Sequence, residues 1–213
     1  FLDTLKTVLD KTDINKLLKE PEDQFGTNCL SLAAGCNNSD CLNSFWSFTE
    51  EFLTQDELKH HIQQTDNYGS NAVQRAAQIN SAESFSSVLE ISRKILNEDE
   101  LKLFFKHVDN NGDNIFHCAA LNDKNEGISE TVFKHLKELL TDVEMKELLK
   151  QKNKNGQNPL HMLLINNKNE KCLKEFLDTL KTVLDKTDIN QLLKEPSNEH
   201  GDNCFILAAS CNN

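Results

Sequence analysis

Apolar residues recur along this chain with helical spacing, in runs of alternating length. Positions i, i+3, i+4 and i+7 are apolar through residues 40–53, 84–96, 131–140 and 172–184, which predicts four long helices with one buried stripe each. A shorter amphipathic run follows each one, at 58–63, 101–108, 145–150 and 189–194. Thr54-Gln-Asp-Glu57 and Thr141-Asp-Val-Glu144 precede two of the short runs. They have the form of a capping box, in which each end residue's side chain takes up the other's backbone N–H. Pro21 and Pro196 stop two copies of the short run.

A third element opens each unit. Gly-x-Asn followed by an apolar position and a pair of small or apolar residues occurs five times, at Gly26, Gly69, Gly112, Gly156 and Gly201. The spacing of 43 to 45 residues is too regular for chance, and it takes up five of the seven glycines. Glycine supplies a positive φ in a tight loop, and the Asn two residues on is a good N-cap. Pro159 then stands at a first helical position, where its missing N–H is no loss. The signals predict a short helix, about 71–79 in one unit, whose Ala-Ala pair permits close approach. The units are 22–65, 66–108, 109–152 and 153–197, with partial units 1–21 and 198–213. Residues 1–38 recur as 176–213 with only nine differences, so the expectation is one domain that is part of a longer tandem array.

Asn155-Gly-Gln-Asn-Pro-Leu-His161 and Asp109-Asn-Asn-Gly-Asp-Asn-Ile-Phe-His-Cys-Ala-Ala120 resemble the ankyrin-repeat signature, Gly-x-Thr-Pro-Leu-His-x-Ala-Ala. The resemblance spans the chain through its five recurrences. It implies an all-α helical repeat solenoid, an ankyrin-like stack with an extra short helix per repeat. It departs from the signature in the Asn that stands for Thr, in the sparse Pro and His, and in a period of about 44 rather than 33. The surplus length fits the extra short helix. Two- and three-helix solenoids of the HEAT or armadillo kind are the other architecture of this period. In the family, the histidine at the positions of His117 and His161 ties neighbouring loops together.

Composition narrows the function. The formal charge of −11 excludes the basic footprint of a general nucleic-acid binder or a polybasic membrane protein. The longest apolar stretch, 159–165, is too short to span a bilayer. The seven cysteines include no C-x-x-C, and we expect reduced thiols used as small core residues in a cytoplasmic setting. A zinc site built from His60, His61, Cys36 and Cys41 has no compelling spacing. Asp109-x-Asn111-Gly112-Asp113 lacks the Gly and Glu register of a calcium loop. Asn37-Asn-Ser39 is a sequon by composition only. No catalytic motif is present, so no enzyme activity, no cofactor, no metal and no small-molecule substrate are expected.

The expected function is protein–protein interaction on the surface made by the loops and first helices. The candidate contacts are Gln24, Phe25, Asn67, Tyr68, Asn110, Asn111, Lys154, Asn155, Glu199 and His200. Phe25 and Tyr68 stand out as apolar anchors placed where a polar loop should project. Of the nine differences between the copies, five fall in the loop and three on the first helix, at 30, 31 and 35. That pattern describes a fixed scaffold with a variable surface, although loops also tolerate change without function. The acidic balance would steer a basic partner and also keeps a long array soluble. A second reading makes the array the arm of a larger effector or toxin whose active domain lies elsewhere, acting in a host cytoplasm; a third makes it a passive spacer.

Overall fold

The computed structural model describes residues 2–20, 24–79, 81–122, 126–166, 169–198 and 200–211. Among these residues every regular element is a helix; the sole extended pairing is the isolated bridge between Thr65 and Asn71. A leading pair, α1 (Leu2–Val8) and α2 (Lys11–Lys19), is followed by α3 (Cys29–Gly35), α4 (Ser39–Phe52) and α5 (Gln55–Gln63). The same triplet recurs as α6 (Ala72–Ile79), α7 (Ala82–Ile95) and α8 (Glu98–Lys106), and as α9 (Ile115–Leu121), α10 (Ile128–Leu139) and α11 (Asp142–Lys150). A last triplet, α12 (Pro159–Asn166), α13 (Glu170–Leu180) and α14 (Lys186–Lys194), precedes α15 (Cys204–Cys211).

Helices of like position touch along the chain. The first helices make contact in the order α3, α6, α9, α12, α15, and the second helices in the order α4, α7, α10, α13. The core lies between these two rows. Ala33, Ala34, Ala76, Ala77, Ala119 and Ala120 are buried on the first row, where small side chains let neighbouring helices approach. Phe85, Phe133 and Phe176 are buried on the second. Pro21, which was expected to stop a helix, lies outside the described residues.

Capping residues set the helix boundaries more sharply than periodicity does. The capping boxes at Thr54/Glu57 and Thr141/Glu144 are formed, and Asn97/Glu100 makes a third. The short helices therefore begin three residues ahead of the apolar run. The long run at 172–184 is broken: α13 ends at Leu180, residues 181–184 form a turn, and Asp185 caps α14 by accepting from Thr187 and Asp188 N–H. Val183 and Leu184 are buried all the same, which is why their apolar rhythm reads as helix. Cysteine usage also differs from expectation. Cys29, Cys118, Cys172 and Cys204 are buried, but Cys36 and Cys41 are exposed at the corner between α3 and α4. The side chain of Cys211 lies outside the described residues.

The repeated Asn does more than cap. Oδ1 of Asn114 accepts from Phe116 and His117 N–H, while its Nδ2 donates to Leu148 O at 2.7 Å and Gln151 Oε1 at 2.8 Å. Asn28 Nδ2 reaches His61 O at 2.8 Å, and Asn71 Nδ2 reaches Phe104 O at 3.0 Å. One side chain thus satisfies an open donor at the start of the first helix and an open carbonyl at the end of the third. Threonine offers an oxygen for the cap but no N–H for the carbonyl.

The residue three positions after the Asn links one unit to the next. His117 Nδ1 accepts from Asn114 N–H at 3.2 Å, so the proton sits on Nε2, which donates to Gln157 O at 3.0 Å. Gln74 repeats this with an amide: Oε1 accepts from Asn71 N–H at 3.1 Å and Nε2 donates to Asp113 O at 2.9 Å. Burial holds His117 down at about 4, against an ordinary value of 6.5. On the third helices, lysine of one unit pairs with a first-turn carboxylate of the next: Lys19 with Glu57, Lys59 with Glu100 (2.6 Å), Lys106 with Glu144, and Lys150 with Asp188 (2.5 Å). The lysine bonds hold Glu57 and Glu144 at about 2.

Two outcomes follow from this bonding. Asn114→Thr keeps the cap but strands the Leu148 carbonyl, and is expected to lower the free energy of unfolding by about 1–3 kcal/mol in urea titration. His117 folds neutral with its value depressed, so its contribution is whole above pH 6.5 and is lost as pH falls toward 4. That is a loss on the order of 3 kcal/mol by pH 4. His117→Gln should keep stability at pH 7.5 within about 1 kcal/mol, because Gln74 already fills this role, and should flatten the decline between pH 6.5 and 4.

Candidate functional site

The loops that open the units share one geometry. In the four from Gly69 to Gly201, an Asx side chain three residues before the glycine accepts two backbone N–H groups: Asp66 from Tyr68 and Ser70, Asp109 from Asn111 and Asp113, Asn153 from Asn155 and Gln157, Asn198 from His200 and Asp202. The apparent calcium-loop spacing at Asp109 is this turn. The glycine that follows has positive φ, +76° at Gly69.

Adjacent loops are joined by main-chain bonds. Asn67 N–H donates to Phe25 O at 2.7 Å, Asn110 N–H to Tyr68 O at 2.8 Å, and Lys154 N–H to Asn111 O at 2.8 Å. Side-chain amides add to them, with Asn67 Nδ2 on Gln24 O at 3.1 Å and Asn110 Nδ2 on Asn67 O at 2.9 Å. Of the expected contact residues, Gln24, Phe25, Asn67, Tyr68, Asn110, Asn111 and Lys154 therefore form one connected row, with exposed side chains. Asn155 is exposed beside Lys154, and His200 is exposed in the last loop. Glu199 lies outside the described residues. Several of these residues have a structural duty that the sequence did not disclose, since their main chain holds the loops together.

Phe25 and Tyr68 meet across neighbouring loops, ring centroids 6.2 Å apart and planes inclined by 26°. They wall a cleft of about 370 Å³ whose other side is made by Arg75 and Gln78 of α6, Cys118 and Leu121 of α9, and Asp109, Asn111 and Asp113 of the third loop. Its charge is mostly negative. Arg75 Nε lies 3.7 Å from Asp66 Oδ2, and burial pushes the Asp109 and Asp113 carboxyls up, with Asn153 opposing at Asp113. Arg75, Gln78, Asp113, Cys118 and Leu121 were not singled out by sequence reasoning. The available signal was position, because Arg75 and Cys118 occupy the same place in successive first helices, as do Gln78 and Leu121.

The divergence between the two copies needs correction. Leu30 and Ser31 are buried, turned toward the neighbouring unit and not toward the loop surface, so the differences at 30 and 31 do not mark a binding face.

Little here suits nucleophilic chemistry. Burial drives the Cys118 thiol far up and the Cys204 thiol to about 12. Cys29 Sγ lies 3.3 Å from His61 Nε2, but both are buried, and burial lowers the imidazole's affinity for a proton. His61 turns to Cys29, and no cluster of His, Cys, Asp or Glu among the described residues could hold a metal ion. No helix among them is long and apolar enough to cross a membrane.

No family model and no curated protein matches the chain. Among solved structures it is similar to a chain of the complex between a predatory endopeptidase from Bdellovibrio bacteriovorus and an immunity protein, with a TM-score of 0.54 and 18% identity over 94% of this chain and 84% of that one. At that identity the likeness concerns the fold alone.

The loop row predicts a difference between two glycines. A Cβ at Gly69 would lie 2.6 Å from Asn110 Oδ1 and 2.8 Å from Asn110 N, whereas at Gly127, with nearly the same φ, it would meet nothing within 4 Å among the described residues. Gly127→Ala should lose only the left-handed backbone term, about 1–2 kcal/mol. Gly69→Ala should lose clearly more in the same urea titration, and equal losses would contradict the close approach of the loops.

Proposed function

We propose that this chain is a protein-binding module, an ankyrin-like all-α repeat solenoid with an extra short helix in each unit, and that it grips a basic segment of a partner protein on its loops and first helices. The observation that carries this reading is the exposed, stacked Phe25–Tyr68 pair standing over a cleft that holds the Asp109 and Asp113 carboxylates. An aromatic face beside carboxylates suits a lysine or arginine side chain, which gains both a cation–π contact and charge pairing. Exposed Leu32 on α3 and Ile79 on α6 extend the apolar area along the first helices. Aromatic anchors ringed by polar groups are the common anatomy of interaction hot spots.

Two further observations agree with it. The repeated contacts among helices of like position are those a stacked-repeat protein makes, and such proteins bind partners along the surface their repeats create. The similar solved structure is itself a complex of two proteins. The buried histidines and thiols serve packing and hydrogen bonding, in keeping with binding without catalysis.

The test uses peptides selected from a random display library on the whole chain. Selected sequences should be enriched in Lys and Arg, and their affinity should fall with rising salt. Phe25→Ala combined with Tyr68→Ala should weaken them at least tenfold, about 1.4 kcal/mol, while Leu103→Ala, exposed on α8, should leave them unchanged. Peptides that are neutral or acidic, or that bind the double variant as well as the parent, would refute the reading.

A further inference from the structure

Arg75 is out of keeping with its place. Six residues after the loop glycine, successive first helices carry Leu32, Arg75, Cys118, Met162 and Leu207, so one guanidinium interrupts an otherwise apolar row. It lines the cleft beside Phe25 and Tyr68. Its ion-pair partner is Asp66, but the 3.7 Å between Arg75 Nε and Asp66 Oδ2 is too long for a hydrogen bond. Asp66 Oδ2 is buried and accepts none. Among the described residues, therefore, none of the guanidinium's N–H donors is bonded.

The turn around Asp66 does not account for this cation. Asp109 holds the same place in the next loop and accepts the same pair of backbone N–H groups, yet has Cys118 nine residues on where Asp66 has Arg75. Nor is Arg75 paired with the other carboxylates of the cleft. Asp109 Oδ1 takes the N–H groups of its turn and Asp113 Oδ1 takes the Asn153 amide, which leaves one oxygen of each open. The cleft thus offers acceptors to a cation and, apart from them, donors to an anion. A purely basic segment would bring its charge against Arg75 within about 370 Å³. Such crowding of like charges disfavours a guest that carries no anion of its own.

We propose, building on the cleft as a binder of basic segments, that its guest is bipolar: a lysine or arginine at Asp109 and Asp113, and a carboxylate on the Arg75 guanidinium. The planar fork of arginine matches a carboxylate with two parallel bonds. The carboxylate comes from the partner's chain terminus, directly after the basic residue, or from an acidic side chain two residues away, which an extended segment turns to the same side.

Isothermal titration of the whole chain with three peptides tests this: acetyl-Ala-Ala-Lys as the free acid, the same peptide as its amide, and acetyl-Glu-Ala-Lys as its amide. The free acid or the Glu-bearing peptide should bind at least about tenfold more tightly than the plain amide. A gain in the first identifies a chain terminus, and a gain in the second an acidic side chain. The plain amide carries the larger positive charge, so an acidic cleft that made no use of Arg75 would favour it instead. Arg75→Gln should abolish the preference and leave the plain amide bound at least as well. Arg75→Lys keeps a charge beside buried Asp66, which guards the fold, and should narrow the preference because the fork is lost. Equal binding of all three peptides, absence of binding included, overturns the proposal, as does a preference undiminished by both substitutions. Peptides that bind the Phe25→Ala, Tyr68→Ala double variant as well as the parent overturn the assignment of the cleft itself.

Discussion

Each loop in this protein completes the hydrogen bonding of the loop beside it. The N–H groups of Asn67, Asn110 and Lys154 point to carbonyls one unit back, at 2.7 to 2.8 Å. The approach is closest at Gly69, where a Cβ would lie 2.8 Å from the Asn110 backbone nitrogen, and at Gly26 a Cβ would crowd the Asn67 side chain at 2.5 Å. The regular glycine spacing in the sequence is the trace of that approach. Fixing one loop on the next fixes the first helices behind them, and with them the aromatic pair and the cleft.

Within a unit the same economy holds for buried polar groups. A helix triplet leaves donors open at one end and carbonyls at the other, and such groups are costly when buried unpaired. Asn28, Asn71 and Asn114 meet both, whereas the buried Asn158 amide caps its helix and finds no acceptor among the described residues. Gln74 and His117, three residues on, reach the next unit. The third helix of a unit ends in carbonyls that need a donor, which an asparagine at the cap of the first helix can supply. Charged pairs stay at the surface, where the lysine ladder adds register between units and less stability.

Much of this was legible in the residues. The helical class and the N-cap role of the Asn followed from spacing and residue type, and the capping boxes marked the short helices. The break after Leu180 was hidden, because Val183 and Leu184 stay apolar and buried in a turn as they would in a helix. Exposure of Phe25 and Tyr68 was legible from their place beside the loop glycine, but their stacking was not, because it joins residues 43 positions apart. The cleft residues Arg75, Asp113 and Cys118 come together only when neighbouring first helices pack. The buried fate of Leu30 and Ser31 likewise depends on the adjoining unit, which a comparison of the two copies as sequences does not contain.

The proposed binding surface presupposes a rigid row of loops. Amide hydrogen exchange at Asn67, Asn110 and Lys154 reads this directly. The three amides lie in surface loops, yet donate to a neighbouring unit, and they should exchange as slowly as amides within the first helices. Exchange at the rate of an unstructured loop would mean that the units are not joined there, and would contradict the account.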